Sequence, residues 1–195
     1  MLPENNYRKF LLSELVDSKE GNDLFNTLLD SFSSINDDVE FFLKNNAVQS
    51  VKLRTSSTYL ILSPSKLDLL GYFTLATKML SIKKKILSNT KIKIFQRFGY
   101  YDEESDSYKI PAILIAQFSR NFHPQSESIS GTDLMQITLK QVDHILSLSS
   151  GKTVFLECER IKALTDFYEQ NEFLFLDNVI MSKDNKELLQ LYQLL

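Results

Sequence analysis

The chain has 195 residues, 43% of them hydrophobic and 24% charged, a balance that suits a packed globular core and excludes a disordered, core-poor chain. A net charge of −3 gives no overall field to gather phosphate backbones, so a nucleic-acid partner is not expected. Cys158 is the single cysteine and cannot form an internal disulfide, the opening MLPENNYRKF lacks the apolar core of a signal peptide, and the apolar runs are strand-sized. Cytoplasmic residence without membrane association is therefore expected.

No repeat and no Pro-, Gly- or Ser-rich linker divides the sequence, so one domain over residues 1–195 is expected. Leu24, Leu28, Leu29 and Phe32 fall at helical spacing, and Asn36 or Asp37 opens a second helix that carries Val39, Phe42 and Leu43. The run 58–62 (TYLIL), the turn Ser63-Pro64-Ser65 and the run 67–75 (LDLLGYFTL) predict a β-hairpin. Residues 79–108, with the cluster Lys83, Lys84 and Lys85, predict an excursion from the central sheet. That cluster reads as a solvated face, or as a contact for a phosphate or an acidic acceptor.

The run 110–118 (IPAILIAQF) predicts a central strand covered on both faces, with Pro111 near its start because it cannot donate to the ladder. A polar loop over 120–130 leads to a helix over 132–148, with Met135, Leu139, Val142 and Leu146 on one side. Strand 153–158, a short helix 161–169 and strand 173–181 follow. Leu188, Leu191, Tyr192 and Leu195 predict a C-terminal helix over about 184–195, whose stripe docks on the body or serves a homodimer contact. The order strand, loop, helix, strand, helix, strand implies an α/β or α+β layered domain with a parallel pair at its centre.

The polar loop meets the helix start at Ser128-Ile129-Ser130-Gly131-Thr132, where unpaired N–H groups and the positive end of the helix dipole favour an anion such as a pyrophosphate. Gly131 permits close backbone approach, and Ser128, Ser130 and Thr132 add hydroxyls. On strand 153–158 and just beyond, Glu157 and Glu159 alternate onto one face with Phe155. Glu157 is the first choice for a base. Cys158 falls among apolar residues and reads as core. His123 and His144 have no metal-ligand spacing, and no metal is expected.

The blocks GYFTL, IPAILIAQF, SGTDLM, VFLECE and DFYEQNEF, within residues 55–181, together resemble the GNAT acetyltransferase superfamily, and most of all a bacterial subgroup with a GYFTL-like strand. The resemblance implies a mixed central sheet with a splayed parallel strand pair, flanked by helices, and acetyl-CoA as co-substrate. It implies that Phe118, Ser119 and Arg120 line the pantetheine, and that Ser126, Glu127, Ser128, Ile129, Ser130, Gly131 and Thr132 wrap the pyrophosphate. Tyr168 would protonate the leaving thiolate. The implied reaction is direct acetyl transfer to an amine of a small molecule or protein; the alternative is a non-catalytic binding or interaction module on the same fold. Two departures stand out. Ser126 and Ile129 occupy the first signature positions of the loop, and Glu172 stands where the family places Gly before Phe173, with Asn171 expected to take the left-handed turn instead.

Overall fold

The computed structural model describes residues 7–182 and 185–195. Two compact units divide the chain: Met1–Ala76 with Ala116–Leu139, and Thr77–Ile115 with Lys140–Leu195. The strands follow the hydrogen-bonded order β1-β2-β3-β5-β6-β8-β7, with β4 on β5. Two of these strands, β3 (Leu69–Lys83) and β5 (Ser107–Arg120), and the helix α6 (Gly131–Ser149) contribute to both units.

In the first unit β1 (Arg8–Leu11), β2 (Ser57–Leu62) and the start of β3 form an antiparallel ladder, with Tyr59 opposite Phe73 and Ile61 opposite Gly71. The predicted hairpin is thus present, with β1 added to its edge. The helices α1 (Leu12–Val16), α2 (Lys19–Asp30), α3 (Asp37–Phe41) and α4 (Ala47–Lys52) precede it, α3 and α4 being joined by a π-helical turn over Phe42–Asn46. Asn36 caps α3 as expected, its Oδ1 accepting from Asp38 N–H at 2.9 Å. Phe25, Leu28, Phe32, Leu43, Ala47 and Val51 bury their side chains in one cluster with Leu60, Leu62 and Tyr72. The Tyr72 hydroxyl donates to the Val39 carbonyl at 2.5 Å, so the tyrosine of GYFTL holds α3 onto the strand. Gly71 has its own reason. A Cβ there would lie 2.8 Å from the Ser119 carbonyl oxygen and 3.0 Å from Leu134 Cδ2, so its bare backbone is what lets β5 and α6 approach β3.

In the second unit β5 and β6 (Thr153–Glu159) are parallel, matched over Ile113–Val154, Leu114–Phe155 and Ile115–Leu156. This parallel pair lies in a sheet whose other ladders are antiparallel, the mixed sheet of the expectation. Ile113 and Ile115 are buried. The helix α5 (Asn89–Phe95) packs Phe95 into a cluster with Leu80, Ile82, Phe155 and Tyr192, and the short β4 (Tyr100–Asp102) pairs with the start of β5. Met79 to Lys83 remain in β3, so the excursion expected over 79–108 is confined to the segment from Lys84 to Asp106.

The C-terminal helix is overturned. Residues Glu187–Leu194 form a strand, β8, that pairs antiparallel with β6 on one side and with β7 (Leu174–Met181) on the other. Leu189, Gln190, Leu191 and Tyr192 are buried in succession because both faces of β8 are covered, and a strand covered on both faces loses the alternation that would identify it. The helical stripe that suggested a homodimer contact therefore does not exist; the start of that expected helix, at 184, lies outside the described residues.

Candidate functional site

In the first unit the end of β5 is fastened to the loop between α2 and α3 by Asn121. Its Nδ2 donates to the carbonyls of Ser31 (2.7 Å) and Leu69 (2.8 Å), and its Oδ1 accepts from Ser33 N–H (3.1 Å) and His123 N–H (2.9 Å). A buried amide with all these bonds made is a rigid junction. It brings Ser34 Oγ to 3.0 Å from Ser119 Oγ. Neither Asn121 nor Ser34 was singled out from sequence; the only signal was a polar residue placed directly after a long apolar strand.

The loop residues divide by role. Ser119 is buried and bonds Ser34 and the Arg120 carbonyl, Phe118 is half-buried, and the Arg120 guanidinium lies 4.3 Å from the Phe122 ring centre. Ser126 Oγ donates to the Ser31 carbonyl at 3.1 Å, and the Glu127 carboxylate accepts from Ser65 (3.1 Å) and faces Lys66 Nζ at 3.6 Å, so both hydroxyl and carboxylate hold the loop to its own unit. Ile129 is 4% exposed and anchors the loop with its side chain. Ser128 and Thr132 are exposed. Helix α6 begins at Gly131, and Ser130 caps it: its Oγ accepts from Asp133 N–H at 3.0 Å and donates to the Asp133 carboxylate at 2.6 Å. The N–H groups of Gly131 and Thr132 precede the first intrahelical bonds and suit an anion. The Asp133 carboxylate, absent from the sequence reading, sits in the same turn and opposes one. The helix start thus offers an anion main-chain donors and a competing charge together.

In the second unit β6 divides its side chains by alternation. Phe155 faces Tyr192, and Glu157 faces Gln190, whose Nε2 donates to Glu157 Oε1 at 2.9 Å. Glu159, equally half-buried, is ion-paired with Lys186 at 3.2 Å, which leaves Glu157 as the carboxylate of the two held by a neutral amide. Cys158 points the other way. It is buried, and burial pushes its thiol up to about 11, so it is core rather than nucleophile. Tyr168, in α7 (Lys162–Gln170), is buried, and burial raises the phenol well above its ordinary value.

The end of α7 fixes Tyr168. Its carbonyl accepts from Phe173 N–H at 3.0 Å, the Glu169 carbonyl accepts from Glu172 N–H at 2.9 Å, and the rings of Tyr168 and Phe173 meet edge-on with centres 5.9 Å apart. This is a Schellman motif with its hydrophobic contact, and the residue that must turn left-handed is Glu172, at φ 67°. The expectation that Asn171 would do so is overturned: Asn171 has φ −96° and its Nδ2 bonds the Phe167 carbonyl. The motif requires the turn one residue before Phe173, whichever side chain stands there. No group of metal-ligating side chains occurs among the described residues, and no helix among them is long and apolar enough to cross a membrane.

The sequence matches no family model and no curated protein. The fold does have known counterparts. AtaT complexed with acetyl-methionyl-tRNAfMet is 14% identical, with a TM-score of 0.65 over 97% of this chain and 95% of that chain. A tyrosine-to-phenylalanine mutant of KacT is 16% identical, with a TM-score of 0.65 over 95% and 94%. AtaTR bound with AcCoA is 14% identical, with a TM-score of 0.60 over 97% and 94%. The architecture is the GNAT fold, a mixed sheet with helices on it.

Proposed function

We propose that the chain is an acetyl-CoA-dependent N-acetyltransferase. The observation that carries this reading is the three-residue parallel ladder between β5 and β6, with the half-buried Glu157 beyond it on β6 and the buried Tyr168 on the helix that follows. A carboxylate suits an incoming amine, and a neutral phenol suits a leaving sulfur. AtaTR bound with AcCoA has the same fold and adds weight to the choice of co-substrate.

In this reading the N–H groups of Gly131 and Thr132, with the hydroxyls of Ser128 and Thr132, hold the pyrophosphate, and the β5 backbone at Phe118–Arg120 lies along the pantetheine. Glu157, steadied by Gln190, takes the proton from the acceptor ammonium. The free amine nitrogen forms a bond to the thioester carbon, the carbon–sulfur bond breaks, and Tyr168 hydrogen-bonds the departing sulfur and delivers its proton. Because burial keeps the phenol neutral, its contribution lies in donating to developing negative charge. The surplus proton on the new amide nitrogen returns to the phenolate left on Tyr168, Glu157 releases its own proton to solvent, and no covalent enzyme intermediate forms.

The acceptor classes include an amine carried on RNA, because AtaT is complexed with acetyl-methionyl-tRNAfMet. The exclusion of nucleic acid from overall charge is therefore set aside. A non-catalytic module on the same fold is favoured by one feature, the Asp133 carboxylate at the start of α6. Acetyl-CoA decides between them. On the catalytic reading it raises the melting temperature by mass action, and free CoA appears when an acceptor is supplied. Absence of any shift at millimolar acetyl-CoA would establish the interaction module.

A further inference from the structure

A run of hydrogen bonds in the first unit can point in only one direction. The Ser119 hydroxyl donates to the Arg120 carbonyl at 2.7 Å, and a carbonyl can only accept. That bond uses the single proton of Ser119, so in the 3.0 Å contact between the two hydroxyls Ser34 donates and Ser119 accepts. Ser34 Oγ in turn accepts from the Asn36 N–H at 3.2 Å. The chain therefore runs from the Asn36 N–H through Ser34 and Ser119 to the Arg120 carbonyl, and dipoles aligned in this way strengthen one another. Ser119 is 6% exposed, which leaves water little access to replace Ser34 as its donor. The chain ends on a peptide group already held at its other end: the Asn121 N–H of that same group donates to the Leu70 carbonyl at 2.8 Å. With both ends bonded, the plane of that peptide at the end of β5 is fixed.

We propose that Ser34, 85 positions from Ser119 in the sequence, is a positioning residue for acetyl-CoA: through Ser119 it holds the Arg120–Asn121 peptide in the plane that the pantetheine meets. This deepens the acetyltransferase reading and rests on it for the ligand. Ser34 touches no reactant. It acts by presenting the end of β5 already ordered, so its effect belongs to acetyl-CoA affinity rather than to the chemical step. The loop that carries Ser34 does not depend on the hydroxyl for its own place. The Ser34 N–H donates to Glu40 Oε2 at 2.7 Å, and Glu40 Oε1 is paired with Lys44 at 2.7 Å. The neighbouring Ser33 bonds Asn121 Oδ1 through its N–H and accepts from the Phe122 N–H at 2.9 Å through its carbonyl. Ser34→Ala therefore removes the donor to Ser119 and leaves the backbone around it anchored.

Acetyl-CoA affinity is measured by isothermal titration calorimetry on the full chain, and exchange of the Asn121 amide proton by NMR on the ligand-free protein. Ser34→Ala should weaken affinity about five- to tenfold, the effect of one lost buried hydrogen bond. Ser34→Thr keeps a hydroxyl and should bring affinity back to within about twofold of the parent. Ser119→Ala should weaken it to a similar degree, and the double variant little further, because both substitutions break the same chain. Without ligand, Ser34→Ala should speed Asn121 exchange by about the same factor as it weakens affinity. A residue that merely supports the fold would lower the melting temperature and leave the affinity of the folded protein unchanged. Should Ser34→Ala fail to fold, Ser119→Ala and Ser34→Thr carry the test. Parental affinity in Ser34→Ala, fully additive effects in the double variant, or unchanged Asn121 exchange overturns this proposal alone. A parent that binds no acetyl-CoA overturns the enzyme reading and this proposal with it, so the two failures are told apart by the parent.

Discussion

Gln190 Nε2 donates to Glu157 Oε1 at 2.9 Å from the neighbouring strand, which ties the orientation of the carboxylate to the β6–β8 register. If Glu157 accepts the amine proton, Glu157→Gln should lower kcat by roughly 100-fold or more, within the span usual for general bases, and leave acetyl-CoA affinity unchanged. Gln190→Ala should have a smaller effect on kcat. A Glu157→Gln variant that turns over at the parental rate would leave water as the base.

For Tyr168 the corresponding change is Tyr168→Phe, which keeps the ring packed on Phe173 and removes only the hydroxyl. The acetylation rate should fall about 100- to 10,000-fold with acetyl-CoA stabilisation intact. Thiol-reagent detection of released CoA suits this assay, since Cys158 is buried with its pKa raised to about 11 and will react little.

Burial raises the phenols of Tyr72 and Tyr168 above their ordinary value. The sign is fixed by linkage: in the unfolded chain they ionise near about pH 10, while in the folded protein they stay neutral. Stability from this source is fully present below about pH 10 and is lost progressively above it. Urea midpoints should decline on that alkaline side more steeply for the parent than for Tyr168→Phe.

Glu172 occupies a left-handed turn at φ 67° that suits glycine. Glu172→Gly should stabilise the protein by about 1 kcal/mol, a rise in Tm of roughly 2–4 °C for a chain of this size. An unchanged or lower Tm would mean that the Glu172 side chain repays the strain through contacts of its own.

The helix start yields a pair of opposite expectations for acetyl-CoA affinity by calorimetry. Gly131→Val should weaken it more than Ser128→Ala, because main-chain donors depend on close approach and little on side-chain identity. Asp133→Asn should tighten it by removing the like charge from the turn while a cap partner for Ser130 remains. Equal and negligible effects from all three would place the pyrophosphate elsewhere.

Individual elements were legible where the sequence obeys one period. TYLIL and GYFTL announced the hairpin, IPAILIAQF the central strand, and Met135, Leu139, Val142 and Leu146 the long helix. β8 was misread because a strand buried on both faces and a buried helix share the same unbroken apolar text. The role of Gly71 as a point of close approach became visible only with Ser119 and Leu134 beside it. Asn121 was illegible for a related reason: its bonds reach Ser31, Ser33 and Leu69, and nothing local marks a residue whose partners lie 52 to 90 positions away. The division of the chain inside β3, β5 and α6 was equally silent, since regular elements run straight through it.

The adjacency of Glu157 and Cys158 on β6 has an evolutionary side. A single peptide step separates the face of the carboxylate assigned to the amine from the buried face of Cys158, so parity along the strand decides which side chain meets the reactant. Substitution can erode the loop signature at Ser126 and Ile129 by degrees, but a one-residue insertion or deletion between Gly151 and Glu157 would exchange the two faces outright. Descendants of this chain should therefore vary freely in residue identity over that interval and keep its length fixed.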